Sequence, residues 1–260
     1  MAKLYFRFGA MNSGKSTAVL QAAFNYEERG QQVLLAKPTI DTKGEARVIS
    51  RLGVSRAVDF VLAPDARMLD TFAEHRARVI RESGVDVSCL LIDEAQFLTE
   101  QQVDDLLRIA IQLSIPVLAY GIRTDFQTVA FPGSRRLLEI AHSLEELKTI
   151  CRCGRKAVFN ARKINGRFVF DGDQVAIDTE SEARVDFDTS REPTPTLVSV
   201  TPWEAGALRM SEKPADVGYE SLCGSCYLDE SGGSFGTGRP ARNEPAPQAS
   251  YASAPDPDFA

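Results

Sequence analysis

Over its first 150 residues the chain alternates short, uninterrupted apolar runs with segments of helical period. The runs "KLYFRFG", "QQVLLAKP", "VSCLLID" and "IPVLAYG" predict strands, with "VDFVL" a weaker one. Ser16 to Arg29 predicts a helix closed by Gly30, and Asp65 to Glu82 a second, with Leu69, Phe72 and Val79 loosely at helical spacing. Thr99 to Leu113 predicts a third, with Thr99 as N-cap. Such alternation predicts an α/β fold, a mostly parallel sheet with helices on both faces. Runs that are apolar throughout, not at every second residue, suit strands covered on both sides. Cys89 lies inside one of them and reads as core.

From Cys151 the pattern changes. Cysteine pairs, glycines and short amphipathic strands ("GRFVFDGDQVAID") replace long helices, which puts an expected domain boundary near residue 150. The second, small β module is expected over 151–230, interrupted by a polar, proline-bearing irregular insertion at about 180–216. Residues 231–260 are Gly, Ser, Pro and Ala with few core-forming residues, a composition expected to be disordered. The chain shows no internal repeat.

Composition narrows the function classes. The chain has 260 residues, 43% hydrophobic and 25% charged, enough apolar material for one large domain and a small one. No apolar run approaches the roughly 20 residues that span a bilayer, so no membrane partner is expected. The start runs straight into strand-like sequence, without a signal-peptide core. A net charge of -6 argues against a protein whose main task is gripping nucleic acid. Five cysteines point to a reducing compartment and to metal or free thiols, hence to the cytoplasm. His75 and His142 fall on helix-like segments and are assigned no role.

Residues 9–16 read Gly9-Ala10-Met11-Asn12-Ser13-Gly14-Lys15-Ser16, the pattern GxxxxGK[ST], between a predicted strand and a predicted helix. Glycines let backbone N–H groups curl around phosphate oxygens, and the helix N-terminus adds partial positive charge. Lys15 then reaches the β- and γ-phosphates, and Ser16 ligates Mg²⁺. Such a loop needs a second carboxylate on the magnesium side, at a nearby strand end. "LLIDEAQF" (90–97) supplies Asp93 for it and Glu94 as a candidate general base. On its own the string also suits a motor that primes water, or an acidic cap after a buried strand.

Cys151 and Cys153 form C-x-C, and Cys223 and Cys226 form C-x-x-C. Four thiolates in two close pairs satisfy tetrahedral Zn²⁺. Unliganded buried thiols are the alternative. With no histidine or open position among them, such a zinc is structural.

Together these features resemble the type II, cytosolic thymidine kinase family. "YGIRTDF" (120–126) with "FPGS" (131–134), "TICRCGRKA" (149–157), "GDQVAI" (172–177), "GYESLCGSC" (218–226) and "SRLG" (50–53) are similar to that family's segments. The match covers roughly 3–179 and 217–228. It implies a RecA-like P-loop domain with a small zinc-ribbon-like β domain. It implies ATP-dependent phosphorylation of the 5′-hydroxyl of thymidine or deoxyuridine in nucleotide salvage. Glu94 matches the family's base, and Lys15, Ser16 and Asp93 its Mg·ATP side. Met11, Gln96, Phe97, Ile122, Phe126 and Phe131 fall where the family lines the nucleoside pocket, although simple core packing explains Phe97 and Phe131 as well. Val175, Ile177 and Tyr219 match a loop that closes over the base, and Arg51 a charge stabiliser for the moving phosphoryl group. A homotetramer and feedback inhibition by thymidine triphosphate are implied too.

Three features depart from the family. Asp178-Thr179 stand where glycines are common, followed by the insertion before Tyr219. Lys43 replaces a common arginine, and the tail beyond 230 has no counterpart. The changed loop keeps open a deoxynucleoside kinase of altered base preference. A helicase-type ATPase needs a second RecA-like domain, for which the chain has no segment, and a purely binding zinc ribbon needs no Lys15, Ser16, Asp93 and Glu94.

Overall fold

The computed structural model describes residues 1–39, 46–172 and 216–235. Lys43, Val175, Ile177, residues 173–215 of the closing loop and insertion, and the tail from 236 lie outside them. In chain order the elements are β1 (Leu4–Phe8), α1 (Lys15–Glu27), β2 (Gln32–Pro38), β3 (Arg47–Ile49), β4 (Ser55–Ala57), β5 (Phe60–Leu62), α2 (Met68–Ser83) and β6 (Val87–Ile92). There follow α3 (Glu100–Gln112), β7 (Val117–Gly121), α4 (Pro132–Ile140), β8 (Ser143–Glu146), β9 (Thr149–Ile150), β10 (Lys156–Ala157), β11 (Phe159–Ile164), β12 (Arg167–Val169), β13 (Val217–Leu222) and α5 (Gly224–Glu230).

Six strands form one sheet in the order β5-β2-β6-β7-β1-β8, and every neighbouring pair is parallel. The uninterrupted apolar runs are explained by what covers each face. Val33, Leu35, Cys89, Leu91, Leu118 and Tyr120 pack with Val19, Leu20 and Ala23 of α1. The alternate residues Leu34, Leu90, Ile92, Val117 and Ala119 pack on the other side with Phe72 of α2, Leu106 of α3 and Leu137 of α4. Both sheet faces are therefore buried, as a parallel sheet requires.

The Thr99 N-cap is present as a full capping box with Gln102, a device worth about 1 kcal/mol. Helix α4 begins at Pro132, directly after Phe131. Gly133 sits where an added Cβ would lie 2.5 Å from the Ala95 carbonyl oxygen and 2.7 Å from that of Leu98. Only glycine lets α4 approach the 3₁₀ turn Ala95–Phe97 so closely.

After β8 the described residues form two small antiparallel sheets, β9 with β10 and β12-β11-β13. Their core is Cys151, Ala157, Ala161, Leu222, Cys223 and Tyr227. Residues 231–235, counted with the tail on composition, continue from α5, and the Phe235 ring stacks 5.8 Å from that of Tyr227.

Three elements escape the hydrophobic pattern. The β3–β4 hairpin has strands of three residues, too short for periodicity. Helix α4 opens on Pro-Gly-Ser, which reads as a turn. Strand β8 is the polar edge "SLEE". His142 accordingly lies between α4 and β8 and not on a helix, and its Nδ1 accepts from the Leu4 N–H at 3.0 Å.

Candidate active site

Strand β1 delivers residues 9–14 to the carboxyl edge of the sheet, and α1 starts at Lys15. The loop turns through Asn12, whose φ of 67° is left-handed, a region asparagine tolerates better than most residues. Lys15 is folded back into the loop, its Nζ donating to the Ala10 carbonyl at 2.8 Å. Burial holds its ammonium below the ordinary lysine range, against the pull of Glu94 and Asp93, while Arg51 pushes in the same direction as burial. Arg51 itself stands exposed in the turn of the β3–β4 hairpin, near enough for Lys15 to sense its charge.

Asp93 follows β6 directly, and its N–H donates to Ala36 of β2 at 2.9 Å. It is 5% exposed. Burial, and then the adjacent Glu94 charge, raises its carboxyl well above the usual range. A cation beside it would reverse that cost, which fits the magnesium side of a nucleotide site.

Glu94 is left-handed, with φ 54° and ψ 37°. That conformation is costly for a glutamate, and such strain collects where a side chain must be aimed. Gln96, 1% exposed, donates from Nε2 to the Glu94 carboxylate at 2.5 Å. Its Oε1 accepts from the Ile122 N–H at 3.2 Å, just past the end of β7. The neighbouring Gly121 is required here, since a Cβ would come 2.7 Å from Gln96 Oε1.

Ile122 adjoins Gln96, and Phe97 follows it in the chain; Ile122, Phe126 and Phe131 are nearly buried and Phe97 half-buried. Phe97 and Phe131 meet edge to face at 5.4 Å between centroids. The guanidinium of Arg162 lies 3.7 Å above the Phe126 ring and donates to the Asp171 carbonyl at 2.5 Å. Tyr219, half-buried on β13, pairs in register with Arg162 of β11.

The sulfurs of Cys151, Cys153, Cys223 and Cys226 all lie within 4.8 Å of one another. Burial pushes the Cys226 thiol up to about 12, and the three neighbouring thiols add to the shift. The Arg155 N–H draws Cys153 the other way, to about 7. Four soft donors this close together form a set that one bound cation stabilises, and a tetrahedral zinc fits it.

The thymidine kinase family model matches residues 2–181 of the chain. The chain belongs to the thymidine kinase family. The thymidine kinase of Legionella pneumophila is 50% identical over 180 residues, spanning 68% of this chain and 83% of that protein. That of Idiomarina loihiensis is also 50% identical over 180 residues, with 68% and 89% covered. The Ruegeria pomeroyi thymidine kinase is 46% identical over 179 residues, with 68% and 87% covered. Among solved structures, a replication initiator DnaA bound to AMPPCP and single-stranded DNA has a TM-score of 0.30 at 16% identity, covering 56% of this chain and 40% of its own. That likeness carries no argument.

Of the residues singled out in the sequence, Lys15 senses the charges of Glu94, Asp93 and Arg51. Gln96 ties Glu94 to Ile122, and Phe97, next to Gln96, meets Phe131; Phe126 instead contacts Arg162 and Tyr227. Four further residues, not singled out in the sequence, contact these segments: Asn160, Arg162, Ser221 and Tyr227. Asn160 and Ser221 bond the main chain of Met11, and the Tyr227 hydroxyl donates to the Phe126 carbonyl at 2.6 Å. Ser221 and Tyr227 flank the second cysteine pair, but no local signal marks them as reaching the phosphate loop or the aromatic wall. No described helix is long and apolar enough to cross a membrane.

Proposed function

We propose that the chain is a thymidine kinase that transfers the γ-phosphoryl group of ATP to the 5′-hydroxyl of thymidine or deoxyuridine, giving the monophosphate and ADP. The observation that carries this is the convergence of Lys15, Asp93 and Glu94 on one sheet edge, with Gln96 tying Glu94 to Ile122 beside the Phe97–Phe131 pair; with Phe126 these form an apolar wall in this reading. A flat pyrimidine suits such a wall.

In this reading the backbone of residues 9–14 holds the phosphates, with Lys15 at the β- and γ-groups. Ser16 and Asp93 hold Mg²⁺, which neutralises charge on the transferring group. Glu94 takes the proton of the attacking hydroxyl, aimed by Gln96. Arg51 stabilises charge on the moving phosphoryl group. Met11 and Tyr219 border the nucleoside, and Val175 and Ile177 complete the base pocket through main-chain contacts. Shielding the site from water limits wasteful ATP hydrolysis. Residues 1–150 form the kinase unit and 151–230 a unit whose four cysteines hold a structural zinc. Cytoplasmic salvage as a homotetramer, inhibited by thymidine triphosphate, completes the proposal.

An ATP-coupled assay over thymidine, deoxyuridine, deoxycytidine and the purine deoxynucleosides tests it. Turnover confined to the first two supports the reading. Turnover led by another base would favour a kinase of altered base preference, to which Asp178-Thr179 in the closing loop point. ATP hydrolysis that answers to nucleic acid and to no nucleoside would overturn both.

A further inference from the structure

Two residues of the antiparallel sheet grip the main chain of a single residue of the phosphate loop, Met11. Asn160 and Ser221 stand opposite each other in the β11–β13 ladder. The Met11 N–H donates to Asn160 Oδ1 at 2.7 Å. The Ser221 hydroxyl donates to the Met11 carbonyl oxygen. Both side chains are withdrawn from solvent, at 2% and 7% exposure. The amide of Asn160 also donates from Nδ2 to the Thr124 carbonyl at 2.9 Å. One side chain thereby ties the phosphate loop to the segment that carries Phe126. Its orientation is fixed by its partners, because a flipped amide would set N–H against the Met11 N–H. Aspartate has no donor for Thr124, and aliphatic residues satisfy neither group.

The position of this grip matters. Met11 immediately precedes Asn12, the left-handed residue at which the loop turns. Thr149, at the start of β9, adds a bond from its hydroxyl to the Asn12 carbonyl at 3.4 Å. A phosphate-binding loop works only when its N–H groups already converge, since ordering them on binding costs affinity. The three ties come from 137 to 210 residues further along the chain. Ser221 is followed two residues later by Cys223 of the cysteine cluster.

We propose that Asn160 and Ser221 are positioning residues for the phosphate donor: by holding the N–H and the C=O of Met11, and so the two peptide groups that flank its Cα, they preorganise the phosphate loop, and they couple the cysteine-bearing sheet to the donor site. The inference rests on the kinase reading for its meaning, but its test does not need nucleoside turnover.

The test is the dissociation constant of Mg·ATP, measured by calorimetry without nucleoside on the full chain, for wild type, Asn160→Ala, Ser221→Ala and the double variant. Tm and metal content are followed alongside. Each single variant is expected to bind Mg·ATP about 3- to 10-fold more weakly, the loss of one net hydrogen bond. The double variant should fall short of the product of the two, because both act on one residue. Ser221→Thr, which keeps the hydroxyl, should restore affinity. In the kinetic assay KM for ATP should rise while KM for thymidine stays within about twofold of wild type. Should Asn160→Ala fail to fold, the two Ser221 variants decide the matter. Unchanged Mg·ATP affinity in Ser221→Ala overturns the proposal, and so does an equal rise in both KM values with loss of bound metal. Weakened ATP binding in a chain that phosphorylates no pyrimidine nucleoside upholds the grip and overturns the thymidine kinase reading instead.

Discussion

The side-chain amide of Gln96 bridges the Glu94 carboxylate and the main chain at Ile122, at 2.5 and 3.2 Å. The side chain that does the aiming is itself pinned to the end of the central strand β7. Glu94 therefore holds its direction although its own backbone is strained.

Gln96→Ala should cut kcat about 10- to 100-fold, because hydrogen bonds to charged groups contribute about 1.5–3 kcal/mol. Mg·ATP affinity should stay near wild type. Gly121→Ala should reproduce part of the defect, since its Cβ would crowd Gln96 Oε1 at 2.7 Å. Steady-state kinetics beside ATP titrations check both, and a loss confined to ATP binding would contradict the role assigned to Gln96.

Lys15 gives the pH dependence. Its ammonium is held below the usual lysine range by burial, whereas bound phosphate favours the charged form. Binding above the depressed pKa therefore requires proton uptake, and Mg·ATP affinity should fall as pH rises through that depressed pKa, below the ordinary lysine range. Lys15→Met removes that slope together with most of the affinity. It should leave Tm equal or higher, because a desolvated charge has gone.

Gly133→Ala forces a Cβ against the carbonyl oxygens of Ala95, Gln96 and Leu98 at 2.5 to 2.9 Å. A destabilisation of about 1–3 kcal/mol in urea unfolding is expected. The shifted 3₁₀ turn carries Gln96 and Phe97, so kcat should fall as well.

The phosphate loop, Asp93, Glu94 and the cysteine pairs were legible because each is a local string whose chemistry depends on spacing. The parallel sheet was legible because both its faces are buried, which leaves its strands apolar throughout. Asn160, Ser221 and Tyr227 were not, since their partners are Met11 and Phe126, more than a hundred residues away. Helix α4 was hidden by its opening Pro-Gly-Ser. The same glycine that suggests a turn is what permits the helix to touch residues 95–98.

The cysteine cluster predicts one zinc per chain in protein purified under reducing, chelator-free conditions, read by elemental analysis. Clearly less than one would contradict the site. Chelation should lower Tm and loosen Phe126, whose carbonyl accepts from Tyr227 next to Cys226. The second effect should appear as a raised KM for thymidine.

The central claim is that Glu94 takes the proton from the nucleoside hydroxyl, and Glu94→Gln tests it most directly. Single-turnover phosphorylation of thymidine and Mg·ATP binding are measured on the same preparation. The account predicts phosphorylation slower by about 10²- to 10⁴-fold, with Mg·ATP affinity nearly intact. Thymidine phosphorylation at the wild-type rate would contradict it.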